Sequence, residues 1–100
     1  MSISFVRSAI IKPGKFAQAR ANAEEMRKHF KSKTGLDLSL ATQIGGPTGA
    51  VAMRVTYKDF DEMTKIVGQL ENDAEMRRLT DEAGPLFVEG SGNDSLWRED

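Results

Sequence analysis

Ile3-Ser4-Phe5-Val6-Arg7-Ser8-Ala9-Ile10-Ile11-Lys12, closed by Pro13-Gly14, is the stretch on which the fold turns. β-branched and aromatic residues that end at a Pro-Gly pair predict a strand followed by a turn. Apolar side chains fall on both parities: Phe5, Ala9 and Ile11 on one, Val6 and Ile10 on the other. A strand apolar on both faces needs cover on both faces. One layer of helices on one sheet, all that 100 residues can build, covers a single face. The other face therefore needs a twin.

Downstream of this strand the period changes. Phe16, Ala19, Ala23, Met26 and Phe30 recur at helical spacing, so residues 15–34 predict a helix, stopped at Gly35. Residues 36–44 then alternate, with Leu36, Leu38, Leu40 and Ile44 against Asp37, Ser39, Ala41 and Gln43. After Gly45-Gly46-Pro47-Thr48-Gly49, residues 51–58 alternate again, Val51, Met53, Val55 and Tyr57 against Ala52, Arg54, Thr56 and Lys58. Two alternating runs joined by a Gly/Pro loop predict a hairpin. Asp59 and Glu62 form the pattern of a capping box, and Phe60, Met63, Val67, Leu70 and Ala74 define a second helical stripe. Asn72 with Glu75 offers a second cap, where the helix kinks or restarts before running on to Gly84-Pro85. Residues 86–90 predict a fourth strand. Ser95-Leu96-Trp97-Arg98 is either a short fifth strand or an ordered tail. The order is βαββαβ over a single domain, residues 1–100. Right-handed crossovers make it an α+β fold: an antiparallel sheet, the first strand beside the third, both helices on one face.

Composition narrows the class. Hydrophobic residues make up 39% and charged residues 29%, a globular balance. No apolar run approaches the roughly 20 residues that cross a bilayer, which argues against a membrane protein. The start lacks the basic and apolar regions of a secretory signal, so a cytoplasmic location is expected. Cysteine is absent, which removes disulfides, thiolate nucleophiles and thiolate metal ligands. Residues 1–50 carry eight Lys and Arg against three Asp and Glu, and residues 51–100 carry six against twelve. Two oppositely charged helices side by side account for this better than a nucleic-acid footprint, so no nucleic-acid partner is expected.

In layout the whole chain resembles the dimeric α/β-barrel superfamily of ferredoxin-like folds. That superfamily includes antibiotic-biosynthesis monooxygenases, haem-degrading monooxygenases, stress-responsive barrel proteins and NIPSNAP-like proteins. The likeness lies in the strand ending at Lys12-Pro13-Gly14-Lys15, the hairpin around Gly45-Gly46-Pro47, the helix broken near Leu70–Glu75 and the ending Leu96-Trp97-Arg98. The resemblance implies a homodimer in which two sheets face each other, supplying the cover that the first strand demands.

Candidate site residues follow from the predicted faces. The helices take Leu36, Leu38 and Leu40 with Val51, Met53 and Val55; the opposite face shows Ser39, Ala41 and Gln43 beside Ala52, Arg54 and Thr56. Phe5, Arg7, Ala9 and Ile11 are assigned to that opposite face, which puts Arg7 and Arg54 together. Two guanidiniums there either favour a planar anion or pair with Glu89 or acids of a partner subunit. His29, the sole histidine, lies on the flank of the first helical stripe. A haem-degrading relative implies a helical iron ligand, but its Asn and Trp companions are not evident here. Tyr57 and Trp97 either line a pocket or fill core and seam. Ligand-binding candidates are thus Arg7, His29, Gln43, Arg54, Tyr57 and Trp97. No catalytic residue stands out, no metal-ligand spacing is present and no cofactor is expected.

These observations predict a homodimeric barrel protein that binds a small organic ligand in a cavity between sheet and helices. The alternative is a cofactor-independent monooxygenase on an aromatic or polyketide-like substrate. In that case the substrate itself activates oxygen while the protein orients it and excludes water. An RNA-binding module shares the element order but needs aromatic platforms on the central strands, and residues 51–57 offer one aromatic, at the end.

Overall fold

The computed structural model describes residues 1–100. Its elements are β1 (Ser2–Ile10), α1 (Phe16–Thr34), β2 (Ser39–Thr42), β3 (Ala50–Tyr57), α2 (Phe60–Glu71), α3 (Ala74–Ala83) and β4 (Asn93–Glu99). Local chemistry sets the boundaries. Gly35 closes α1 at φ 79°, the left-handed value that a side chain resists. Asp59 caps α2 by accepting the Glu62 N–H at 2.8 Å, while Glu62 accepts the Lys58 N–H at 3.1 Å. The predicted helix break is real, but the second cap is one residue on. Asp73, not Asn72, accepts the Met76 N–H, at 2.7 Å, and Asn72 ends α2.

The four strands form an antiparallel sheet in the order β2-β3-β1-β4, which gives an α+β fold with the ferredoxin-like element order. Register assigns the faces. Phe5, Arg7 and Ala9 stand opposite Val55, Met53 and Val51, and directly paired residues share a face. The first strand's parity is therefore the reverse of the one expected. Phe5, Arg7 and Ala9 look toward the helices, and Ser4, Val6 and Ser8 share the open face with Thr56, Arg54 and Ala52. The clean alternation of β3 decides the matter, since β1 is apolar on both parities and accepts either register.

The fourth strand also differs. Residues 86–90 keep only one bridge beside β1, Ile11 opposite Phe87, and the run read as a short strand or an ordered tail is the strand: it pairs along β1 from Ser8–Asn93 to Ser2–Glu99. Both belong to one edge path interrupted by a turn. Val88 donates to Ile10 at 2.8 Å, then Ser91 closes a turn onto the Val88 carbonyl at 3.1 Å with Gly90 at φ 79°. The Ser91 hydroxyl accepts the Ile10 N–H at 3.0 Å, so the strand N–H that the turn deserts still has a partner. This is an enlarged edge bulge: extra residues loop out and pairing resumes beyond them.

Helices and sheet close on each other at one end, where Phe30, Leu38, Val55, Tyr57 and Ile66 form the core cluster. α1 runs against α3. The flank of α1 made by Asn22, His29 and Lys33 reaches across this seam: Asn22 to the Leu79 carbonyl at 2.9 Å, His29 and Lys33 to the Asp73 carboxylate at 2.7 and 3.5 Å. No helix is long and apolar enough to cross a membrane.

Candidate functional site

Beside that core cluster, with Phe30, Leu38, Val55 and Tyr57 as part of the wall, the helical layer and the sheet part, leaving a cavity of about 620 Å³. Small side chains make the space: Ala9 on β1, Ala23 on α1, and Ala83 with Gly84 after α3 all line it. Longer apolar groups, among them Phe5, Met26, Met53 and Met63, complete the wall. Of the 25 lining residues 18 are hydrophobic. A sealed dry void of this size would cost on the order of 15 kcal/mol at about 24 cal/mol per Å³, as much as a whole domain's stability. The cavity is not sealed: it opens to solvent, so its apolar wall is wetted when empty.

Few polar groups interrupt this wall, and Arg7, the one cation among them, is already engaged. Arg7 lies on the wall with its guanidinium locked to Asp94 of β4, Nε to Oδ1 at 2.8 Å and Nη2 to Oδ2 at 2.9 Å. Its Cζ sits 5.5 Å from the centroid of the Phe5 ring, a cation–π distance. The hydrogen bond from Arg7 holds the Asp94 carboxyl below the usual carboxylate range. Tyr57 is 3% exposed, and burial followed by the nearby Glu62 charge pushes its phenol upward. That hydroxyl is thus a neutral donor at any working pH. Asn22 and Glu71 also line the space.

Of the six residues expected to bind ligand, the structure brings two to the cavity, Arg7 and Tyr57. Arg54 is exposed on the opposite sheet face, paired in register with Val6 and Ser39, so the expected guanidinium pair does not form. Gln43 lies in the hairpin loop and donates to the Gly45 carbonyl. Trp97 is 60% exposed on β4, opposite Ser4 on the open face, its indole N–H donating to Ser95 at 3.0 Å. His29 belongs to the α1–α3 seam, where its Nε2 is committed to Asp73. His29 does not line the cavity and its Nε2 is already taken, so the residues present do not fit a haem there.

Sequence reasoning missed Asn22, Asp94 and Glu71. Asn22 carried a signal: three residues after Ala19 and four before Met26, it is a polar, weak helix former bordering the apolar stripe of α1.

No protein-family model and no curated protein matches the chain. Solved structures do. A NIPSNAP family protein from Agrobacterium tumefaciens superposes with a TM-score of 0.81 at 18% identity, covering 99% of this chain and 86% of that one. An antibiotic biosynthesis monooxygenase-like protein from Bordetella bronchiseptica gives 0.74 at 19% identity, covering 99% and 97%. SnoaB from Streptomyces nogalater, a cofactor-independent oxygenase crystallised as a point mutant, gives 0.74 at 10% identity, covering 98% and 92%. At these identities the likeness speaks for fold: the chain has the ferredoxin-like α+β fold of NIPSNAP and antibiotic biosynthesis monooxygenase-like proteins.

Proposed function

We propose that this protein is a homodimer of facing sheets that binds a small, mainly apolar organic ligand between sheet and helices. The carrying observation is the wetted apolar cavity of about 620 Å³, within the several-hundred-Å³ range of small-molecule sites. A ligand that displaces water from such a wall gains roughly 25 cal/mol for each Å² of apolar surface it covers. The dimer is supported by the open sheet face, where Val6, Ile10 and Ala52 are only half-buried and Trp97 is exposed. Native mass spectrometry tests both parts: twice the chain mass is expected, with added mass if a ligand co-purifies. In Thr56→Lys a charge is placed on the face that the partner would dry, so a monomer is expected. An unaltered, well-folded oligomer for that variant would remove the facing-sheet arrangement.

A cofactor-independent oxygenase is the second reading, supported by the fold shared with SnoaB and by a cavity that can hold an aromatic substrate away from bulk water. Oxygen uptake by metal-free, flavin-free protein with a phenolic substrate would favour it. Inactivity across a broad phenol panel leaves the binding reading alone.

A further inference from the structure

We infer that the ligand is a neutral molecule carrying a hydroxyl or N–H group, and that Asn22 on α1 is the residue that reads it. This rests on the cavity-binding reading above and adds the ligand's chemistry to it. The Asn22 carboxamide has no freedom to flip. Its Nδ2 lies 2.9 Å from the Leu79 carbonyl oxygen, which can only accept, so the amide nitrogen must face that way. The other end of the group, Oδ1, takes no hydrogen bond within the protein. Asn22 is only half-buried and lines the cavity. No fully buried polar side-chain atom of the fold is left unpaired, so Oδ1 touches open space. A fixed, unpaired acceptor in an apolar wall is satisfied by a donor on the ligand and by nothing the wall itself provides.

The charged lining groups point in the same direction. Arg7 would be the natural anchor for an anionic ligand, but Asp94 already occupies its fork through two hydrogen bonds. A ligand carboxylate would be left with the Nη1 side of a guanidinium whose charge Asp94 already balances. Glu71, the other ionic residue of the lining, repels an anion and accepts from a donor. The Tyr57 phenol makes no hydrogen bond in the protein and, by the same reasoning as for Asn22, keeps its oxygen in contact with open space. It can donate to the oxygen of a ligand hydroxyl. The cavity therefore selects for a hydroxylated apolar molecule over its methyl ether and over the matching acid.

Three probes of one shape test this: 4-phenylphenol, 4-methoxybiphenyl and biphenyl-4-carboxylate, each titrated calorimetrically into the intact protein. The phenol is expected to bind about tenfold more tightly than the ether, the worth of one hydrogen bond to an otherwise unpaired acceptor. The carboxylate is expected to bind more weakly than both. In Asn22→Leu the phenol-to-ether ratio should fall to within about twofold while the ether keeps its affinity. Equal loss of both probes in that variant would make Asn22 a tether between α1 and α3 only, and would overturn the inference. A second measurement needs no variant: in ¹⁵N-labelled protein the Asn22 Nδ2 resonances should move with the phenol and stay with the ether. Neutral probes that bind without preference would defeat this inference and leave the cavity reading standing; probes that do not bind at all would defeat both.

Discussion

Enlarging one alanine distinguishes an open cavity from a packed wall. Ala23 sits on the apolar stripe of α1, half-buried, and lines the cavity. Ala23→Leu adds three carbons at little cost in helix propensity, because leucine ranks just behind alanine. In a close-packed wall the added volume forces neighbours off their rotamers and costs about 1–3 kcal/mol. Beside open space the sign reverses. Full coverage of the added carbons contributes about 2.4 kcal/mol at about 0.8 kcal/mol each, and loss of rotamer freedom removes roughly 0.5–1 kcal/mol. The net gain is then about 1.5 kcal/mol, falling to near zero if only half the new surface is covered.

Urea unfolding at one fixed protein concentration measures this difference, because the slope stays constant while the midpoint moves. The expected outcome is a midpoint unchanged or raised, together with weaker binding of 4-phenylphenol as the leucine takes up ligand space. A loss of about 1 kcal/mol or more, the signature of overpacking, would show that helix and sheet close together in solution. No open cavity would then exist to hold a ligand.

Two further outcomes follow from the packing and the charges. Leu79 is 0% exposed on α3, so Leu79→Ala should cost about 3 kcal/mol and lower Tm by roughly 12–24 °C for a domain of this size; a fall of only a few degrees would contradict its place in the core. Asp94 is held below its ordinary range chiefly by the Arg7 hydrogen bond, and Asp73 chiefly by the Met76 backbone N–H. Groups depressed in the folded state add stability that is fully present above the unfolded value near 4 and is lost as pH falls through the lower folded value. Urea midpoints should thus hold at about pH 6 and decline below about pH 4, and Arg7→Gln should lessen the decline modestly, since that pair is half-exposed. A midpoint that rises on acidification would refute the assignment.

How much of this molecule could be read from its letters depends on which constraints are local. The helix over Phe16–Thr34 and the hairpin of β2 and β3 were legible because period and turn chemistry sit within a few residues of each other. The face of β1 was not, because its two apolar parities leave the choice to the register with β3, a pairing between distant segments. The edge strand was misplaced for a related reason. Residues 86–90 have strand composition, but the turn at Gly90 and the free edge of β1 together move the main pairing to Asn93–Glu99. Arg7 shows why a site is harder than a fold. On the apolar side of a sheet its charge is tolerable because Asp94, 87 residues away, meets it, and no pattern near position 7 announces that partner.

The cavity is the extreme case of a non-local property. Ala9, Ala23 and Ala83 are ordinary where they stand in the chain, each compatible with a strand or a helix. They make a cavity only because the fold points all three into one space, so that no large side chain fills it from any wall. Periodicity records which residues face inward, and says nothing of whether the facing volumes add up to close packing. That sum is fixed only by three-dimensional arrangement. A single polar residue bordering an inward stripe is therefore the better clue available to a sequence reader. Half-burying Asn22 at the edge of the apolar stripe of α1 is unfavourable unless something meets its amide. Here Leu79 meets one end, and a ligand donor can meet the other.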